Sequence, residues 1–326
     1  MIWRYLARRA FLLVFVMFAL TGFVFSLNFM FPTEAMLTAG VLPANTSANV
    51  LSQYITYCQQ LLLGHWGTSL ATQQPILGEV LALLPATIEL AAAALLFSLF
   101  AGIPLGLLAA VRKDRWLDRL ISGAALIGFS MPVFWWALLL IMVFSLHLGW
   151  LPTSGRLSVL YDVPHQTGFL VLDILRSELA DKTAALSNAF IHLLMPMLVL
   201  ACYPTTVMVR FVRGSMLNVL EKNYIKTARA KGLSRGQVLW HHGMRNALLP
   251  VTRQIGLQFS SLLTLAMLTE VIFSWPGIGQ WLIDSIYQRN YPAIQAGVLV
   301  LSTLVILVNI LTEILHTVFD PLARKL

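Results

Sequence analysis

Chemistry inside a membrane needs acids in pairs, or a serine beside a histidine, held together at depth. The titratable residues of this 326-residue chain are spaced otherwise. Glu89, Glu270, Glu313 and His192 fall in or beside long apolar stretches, each near an end, where an acid ordinarily anchors a helix at the interface. Any of them found buried becomes a functional candidate, because charge within the bilayer is costly. His241 and His242 are adjacent in a basic segment, a setting that more often means solvated side chains than ligands, and no HExxH occurs. Cys58 and Cys202 lie too far apart in the expected topology to meet as a disulfide, and neither has metal spacing. There is no GxxxxGK[ST] phosphate loop, and Gly277-Ile278-Gly279 is too short for a dinucleotide fingerprint. The expectation is a chain that is no enzyme, with no catalytic residue, metal or cofactor of its own.

The informative pattern is mechanical. Leu217, Leu220, Tyr224 and Ala228 recur at steps of three and four, the spacing of one helix face. Lys222, Lys226 and Arg229 form a basic stripe beside it. Gly232 is placed to stop that helix in the left-handed region. A second helix then starts at once, with Ser234 as its cap, Gln237 closing a capping box and Leu233 stapling against Val238. Each such device stabilises by about 1 kcal/mol. Together they predict a rigid elbow able to dock into a groove of a partner and transmit force. An amphipathic helix resting on an anionic leaflet fits the same residues.

The elements that must carry this elbow are membrane spans. The chain is 58% hydrophobic and 11% charged, against about 25% charged in soluble domains. Crossing the hydrocarbon core takes roughly 20 apolar residues. Six stretches qualify: Ala10–Phe31, Leu90–Val111, Leu120–Leu146, Thr183–Val209, Gln254–Thr269 and Tyr291–Thr312. The first follows Arg4, Arg8 and Arg9 but is too long for a signal peptide, so it is expected to remain as a helix. With the N-terminus inside, only Arg156, Arg176, Lys182 and Arg289 of the 22 lysines and arginines fall outside, so both termini are expected in the cytoplasm. Topology accounts for the net charge of +8 without any nucleic acid. Leu51–Leu63 predicts a short helix near the membrane surface. Gly102-Ile103-Pro104-Leu105-Gly106 predicts close helix packing, and Pro104, Pro132 and Pro196 predict kinks.

Tyr224-Ile225-Lys226-Thr227-Ala228-Arg229-Ala230-Lys231-Gly232-Leu233-Ser234, with Arg245-Asn246-Ala247-Leu248-Leu249-Pro250, resembles the EAA loop of ABC-importer permeases of the dipeptide/oligopeptide/nickel family. Leu84–Leu90, Gly128–Trp135, Gly149–Gly155, Glu270–Gly279 and Asp320-Pro321 are similar to that family too, so the likeness runs nearly end to end. Tyr161–Gly168 and Leu257–Ser274 resemble the B-type permeases of Sap peptide transporters. The resemblance implies an all-α, polytopic, six-span protein of the MetI-like type I importer fold in the bacterial inner membrane. Residues 1–31 would form a cytoplasmic stub and first span, 32–84 a periplasmic loop, 85–318 the transmembrane domain with its coupling loop at 210–250, and 319–326 a cytoplasmic tail.

The same resemblance implies a second homologous permease as heterodimer partner, two cytoplasmic ATPase subunits holding ATP and Mg2+, and a periplasmic substrate-binding protein. Tyr224, Thr227, Ala228, Arg229, Gly232, Leu233 and Ser234 would couple to the ATPases. His65, Trp66 and Gly67 would meet the binding protein. Polar positions of spans four and five, namely Thr205, Thr206, Gln258, Ser261 and Thr264, are expected to line the path, with interhelical hydrogen bonding as the plainer role. The cargo implied is peptides, cationic antimicrobial peptides among them. ATP-driven movement of a polyamine or haem, and more remotely a passive pore or membrane enzyme, stay open. The chain departs from the family where Lys226 stands for the leading glutamate, at Phe31-Pro32-Thr33-Glu34, and at Gly64-His65-Trp66-Gly67-Thr68-Ser69.

Overall fold

The computed structural model describes residues 2–27 and 49–319. The expectations resting on Phe31–Glu34, Asp320-Pro321 and the terminal cations Arg324 and Lys325 lie outside the described residues. Among those described, helices carry the structure, and extended backbone pairs once, in an isolated bridge between Thr68 and Pro75. In chain order the helices are α1 (Ile2–Leu27), α2 (Val50–Leu62), α3 (Ile76–Val111), α4 (Trp116–Ser130), α5 (Val133–Leu140), α6 (Leu170–Arg176) and α7 (Lys182–Leu220). They continue with α8 (Asn223–Ala230), α9 (Arg235–Gln237), α10 (Arg245–Ala247), α11 (Val251–Ile272), α12 (Ile278–Tyr287) and α13 (Tyr291–Phe319).

Four helices, α3, α7, α11 and α13, are long and apolar enough to cross a membrane. The third expected span is not one helix. It breaks between Ser130 and Val133, and the two arms meet at 104°. Pro132 explains the break: it has no N–H to donate, and its ring bars the preceding residue from the helical region. Met131 accordingly sits at φ −93°, ψ 137°. α5 then runs into a π-helical turn over Ile141–His147. The first span contributes the shorter apolar helix Val14–Leu27 among the residues searched. The expected six spans therefore resolve into four full ones, one broken one and this first apolar helix. Pro104 and Pro196 lie inside helices that continue through them. Large apolar side chains such as Leu96 and Phe100 point outward, the latter 82% exposed, as a lipid-facing surface requires.

Two other expectations shift. Within the segment expected as the loop 32–84, helix α3 already begins at Ile76. Within the segment expected as the coupling loop 210–250, α7 continues to Leu220. Both extensions follow burial, with Ile76 and Val80 fully covered at the start of α3 and Met216 at the end of α7. The chain forms two compact units. Unit 1 gathers the described residues of Met1–Glu89, Ser154–His192 and Glu270–Leu307. It packs Ile76, Val80, Ile278, Ala296 and Val300 together, and Ile174 with Ala185 and Ala189. Unit 2 gathers those of Leu90–Thr153, Leu193–Thr269 and Val308–Leu326. Here the glycine pair works as expected: a Cβ on Gly102 would lie 2.8 Å from Met208 Cβ, and one on Gly106 2.8 Å from Val212 Cβ. Only glycine lets α3 and α7 approach that closely.

Candidate functional site

The elbow forms where the sequence places it, though with a different inward face. α8 starts at Asn223 with Lys222 as its extended N-cap residue. Its buried residues are Ile225 and Ala228, which pack with Val238 against Val219 and Leu220. Tyr224, expected on that face, is 42% exposed, because the chain breaks at Glu221-Lys222 and resets the helical phase. Lys226, Thr227 and Arg229 also face outward. At the C-terminus of α8 the Leu233 N–H donates to Ala228 O and the Gly232 N–H to Arg229 O, at 3.4 and 3.0 Å. This is a Schellman closure, and it puts Gly232 at φ +83°. A Cβ there would meet nothing within 4 Å, so Gly232 is required for its backbone angle and not for space.

Two residues later the capping box is complete. Ser234 Oγ accepts from the Gln237 N–H at 3.3 Å, and Gln237 Oε1 accepts from the Ser234 N–H at 2.9 Å. Leu233 and Val238 border one cavity of about 360 Å³ together with Arg229, Arg235 and Leu239. α9 runs through a π-helical segment, Val238–Met244, into α10. The elbow is also tied to the spans: Ser215 Oγ donates to Ala247 O at 2.8 Å, and Arg235 Nη2 to Val111 O at 3.2 Å. Met216, Ala247 and Ala110 share a small core.

Unit 2 also holds a cavity of about 460 Å³ bordered by Gly128, Met131, Pro132, Val133, Trp136, Tyr203, Ser261, Thr264 and Leu265. No charged side chain is among these. Two of the five expected path residues, Ser261 and Thr264, are in its wall. Both hydroxyls donate back to their own helix, to Leu257 O and Ser260 O, which leaves oxygen lone pairs free to accept. Thr206 stands behind the wall: it is buried, donates to Tyr203 O at 2.7 Å, and would lie 2.7 Å from a Cβ on Gly128. Thr205 and Gln258 are not in the lining. Their Oγ1 and Oε1 atoms are buried without a hydrogen-bond partner, as is Trp136 Nε1.

Sequence reasoning passed over an ion pair between α4 and α7. Arg213 Nε and Nη2 donate to the two carboxylate oxygens of Asp118, both at 2.7 Å. Asp118 also accepts from the Asp114 N–H at 2.9 Å. The available signal was a pair of acids, Asp114 and Asp118, inside the basic turn Arg112–Arg119.

In unit 1, Glu270 is fully buried and is no interfacial anchor. It accepts from Thr87 Oγ1 at 2.6 Å and from the Gln280 N–H at 3.0 Å. Glu89 pairs with Arg156, whose guanidinium lies 5.7 Å from the ring of the buried Trp275. Of the residues expected to face a binding protein, His65 is exposed. Trp66 packs inward against Ile76 and Val80 and donates to Leu61 O, and Gly67 makes a turn at φ +84°.

A family profile described as "Binding-protein-dependent transport system inner membrane component" matches residues 102–325. The chain is 43% identical to the di/tripeptide transport system permease protein DppB of Pseudomonas aeruginosa, covering 98% of each. It is also 43% identical to the peptide transport system permease protein SapB of Salmonella typhimurium, over 98% of this chain and 96% of that one. At 42% and the same coverage stands a protein of Escherichia coli K12 named as the putrescine export system permease protein SapB. Among solved structures, the inward-facing MetNI methionine ABC transporter superposes with a TM-score of 0.53 at 16% identity, over 72% of this chain and 93% of that one. That likeness concerns the fold.

Proposed function

The chain belongs to the family of binding-protein-dependent transport system inner membrane components, as a multi-pass permease of the DppB and SapB kind, and from that premise we propose that it carries peptides on the power of separate ATPase subunits. The observation that carries this reading is the elbow. Its buried face (Ile225, Ala228, Val238) fixes it to the end of α7, while Lys226, Arg229 and Lys231 remain outside and free to meet a partner.

In this reading both termini are cytoplasmic and the elbow enters a cleft of an ATPase. Two ATPase subunits hold the ATP and Mg2+, a second homologous permease completes the path, and a periplasmic binding protein delivers cargo near His65, Trp66 and Gly67. ATP draws the ATPase pair together, the elbow moves as a lever and the bundle opens outward; hydrolysis returns it. Ser261 and Thr264 present neutral acceptors to the cargo, and no charge in the wall selects among peptide side chains. Cationic antimicrobial peptides pass on the same terms as others.

The test is flux in proteoliposomes containing the whole transporter. Gly232→Val forces a β-branched residue to positive φ, where an L side chain costs roughly 1–2 kcal/mol. Transport should fall at least tenfold with the assembly intact. Gly232→Asn, which tolerates the left-handed region, should keep most of it. Equal transport by both variants would remove the lever. Putrescine leaving inside-out-controlled vesicles, with no peptide flux, would replace peptides by polyamines as cargo, in line with the name of the Escherichia coli relative.

A further inference from the structure

The elbow and the neutral cavity lie at different levels of unit 2, and α7 runs from one to the other. At the elbow end, Ser215 and Met216 hold Ala247. At the cavity end, Tyr203 is in the wall, its ring stacked on Phe129 with centroids 5.6 Å apart. Arg210 covers the other part of that ring, 5.4 Å from its centroid. Between the two stands the Asp118–Arg213 pair. α4 follows α7 antiparallel over this stretch, since Asp118 meets Arg213 while Gly128 meets Thr206 and Cys202. The ten residues from Asp118 to Gly128 and the seven from Arg213 to Thr206 correspond to about 10–15 Å of helix.

Along this seam Gly128 meets a threonine methyl and a thiol, and the Phe129 ring lies against Tyr203 and Arg210, contacts without the fixed directions of hydrogen bonds. The bidentate pair cannot slide. Two of the three guanidinium nitrogens and both carboxylate oxygens are engaged at 2.7 Å, and the side chain of Asp118 is 5% exposed. A fork-to-fork contact of this kind sets both distance and register.

We propose that Asp118 and Arg213 are positioning residues for energy coupling: the pair locks α4 in register with α7, so that a displacement of the elbow moves the cavity wall at Gly128, Met131 and Pro132. This rests on the coupling role of the elbow proposed above. α4 ends at Ser130, immediately before the proline break, so an α4 carried along with α7 acts directly on the hinge that borders the cavity. The pair is a contiguous physical link between the elbow end and the cavity end, of the kind that carries coupling over distance.

The experiment uses the complete transporter in proteoliposomes and measures cargo moved per ATP hydrolysed. Asp118→Leu/Arg213→Met replaces the pair by apolar side chains of similar volume, a change that buried ion pairs commonly tolerate without loss of stability. The variant should assemble and hydrolyse ATP at the wild-type basal rate, with transport per ATP reduced about tenfold. Asp118→Asn, which keeps one acceptor oxygen, should lose less. Wild-type transport per ATP in the double variant overturns the proposal, since apolar packing would then serve as well as the fork. If the double variant does not assemble, Asp118→Asn decides: unchanged transport per ATP overturns the proposal, and a fall at constant basal hydrolysis supports it. Gly232→Val separates the two readings. If it lowers transport while the pair variants keep wild-type transport per ATP, this inference fails alone; if it changes nothing, the coupling role of the elbow fails with it.

Discussion

In unit 1 the carboxylate of Glu270 is enclosed and answered on every side. Thr87 donates to one oxygen and the Gln280 N–H to the other; Thr87 in turn accepts from the Ile278 N–H at 2.9 Å, and Trp275 Nε1 donates to Ala86 O at 3.0 Å. A Cβ on Gly277 would collide with the same carboxylate, so the turn before α12 closes directly over it. Unit 2 treats polarity differently. Among the described residues Trp136 Nε1, Thr205 Oγ1 and Gln258 Oε1 are buried and unanswered there, whereas unit 1 leaves only Arg156 Nε so, on a side chain whose Nη2 is already paired with Glu89. A buried polar atom without a partner costs about 1–3 kcal/mol. A frame that keeps one arrangement has no use for that cost, whereas a region that exchanges partners as it moves or takes up cargo does. On the function proposed above, unit 1 would serve as the frame and unit 2 would hold the moving parts.

The sharpest way to break this contrast is to remove the acid. Glu270→Ala strands the Thr87 hydroxyl and the Gln280 N–H in a dry site and should lower stability by about 3 kcal/mol. Thermal unfolding of the solubilised protein measures it, and a loss below about 1 kcal/mol would show that the cluster is not holding unit 1. Glu270→Gln, which keeps an acceptor, should recover roughly half. In unit 2 the sign should reverse. Thr205→Val and Gln258→Leu delete unanswered atoms at similar volume, so stability should hold or rise by about 1 kcal/mol, while flux falls. A clear loss of stability in either variant would mean that those atoms do have partners, and the contrast would fail from the other side.

The elbow was legible because its devices are local. Gly232, Ser234 and Gln237 act on backbone groups within a few residues, so spacing alone announces the closure and the box. Its inward face was misread for the same reason: a period continued through Glu221-Lys222 assigns Tyr224 to the core, and only the break at that turn, made by packing of Ile225 on Val219 and Leu220, resets the phase. Pro132 announced a bend but not its extent, since a lone proline is compatible with a kinked helix or with a full break. The pairs that join distant segments left no signal of who partners whom. Asp118 and Arg213 are 95 residues apart, Thr87 and Glu270 183, and each reads alone as a charge or hydroxyl near a span end. Of the polar positions named, Ser261 and Thr264 on α11 border the cavity and Gln258 on the same helix does not, while Thr205 and Thr206 require knowing how α7 is turned.

The smallest expected effect concerns Asp173, at the start of α6 in unit 1, and it tests whether the full answering of buried acids there is general. Burial works to raise its pKa, but its carboxylate accepts from the Thr167 hydroxyl at 2.6 Å and from the Thr167 and Gly168 N–H groups at 2.8 and 3.0 Å. Together these hold the carboxyl below the ordinary aspartate value. A folded value below the unfolded one means that the native chain binds a proton less readily than the unfolded chain does. The stabilisation is then complete above the unfolded value of about 3.9 and is lost as the pH falls through the lower folded value. Asp173→Asn should be less stable than the parent at neutral pH and should show a flatter acid limb below about pH 4. Parallel acid limbs in the two proteins would mean that the three donors do not favour the charged form, and that Glu270 is a special case rather than the rule in unit 1.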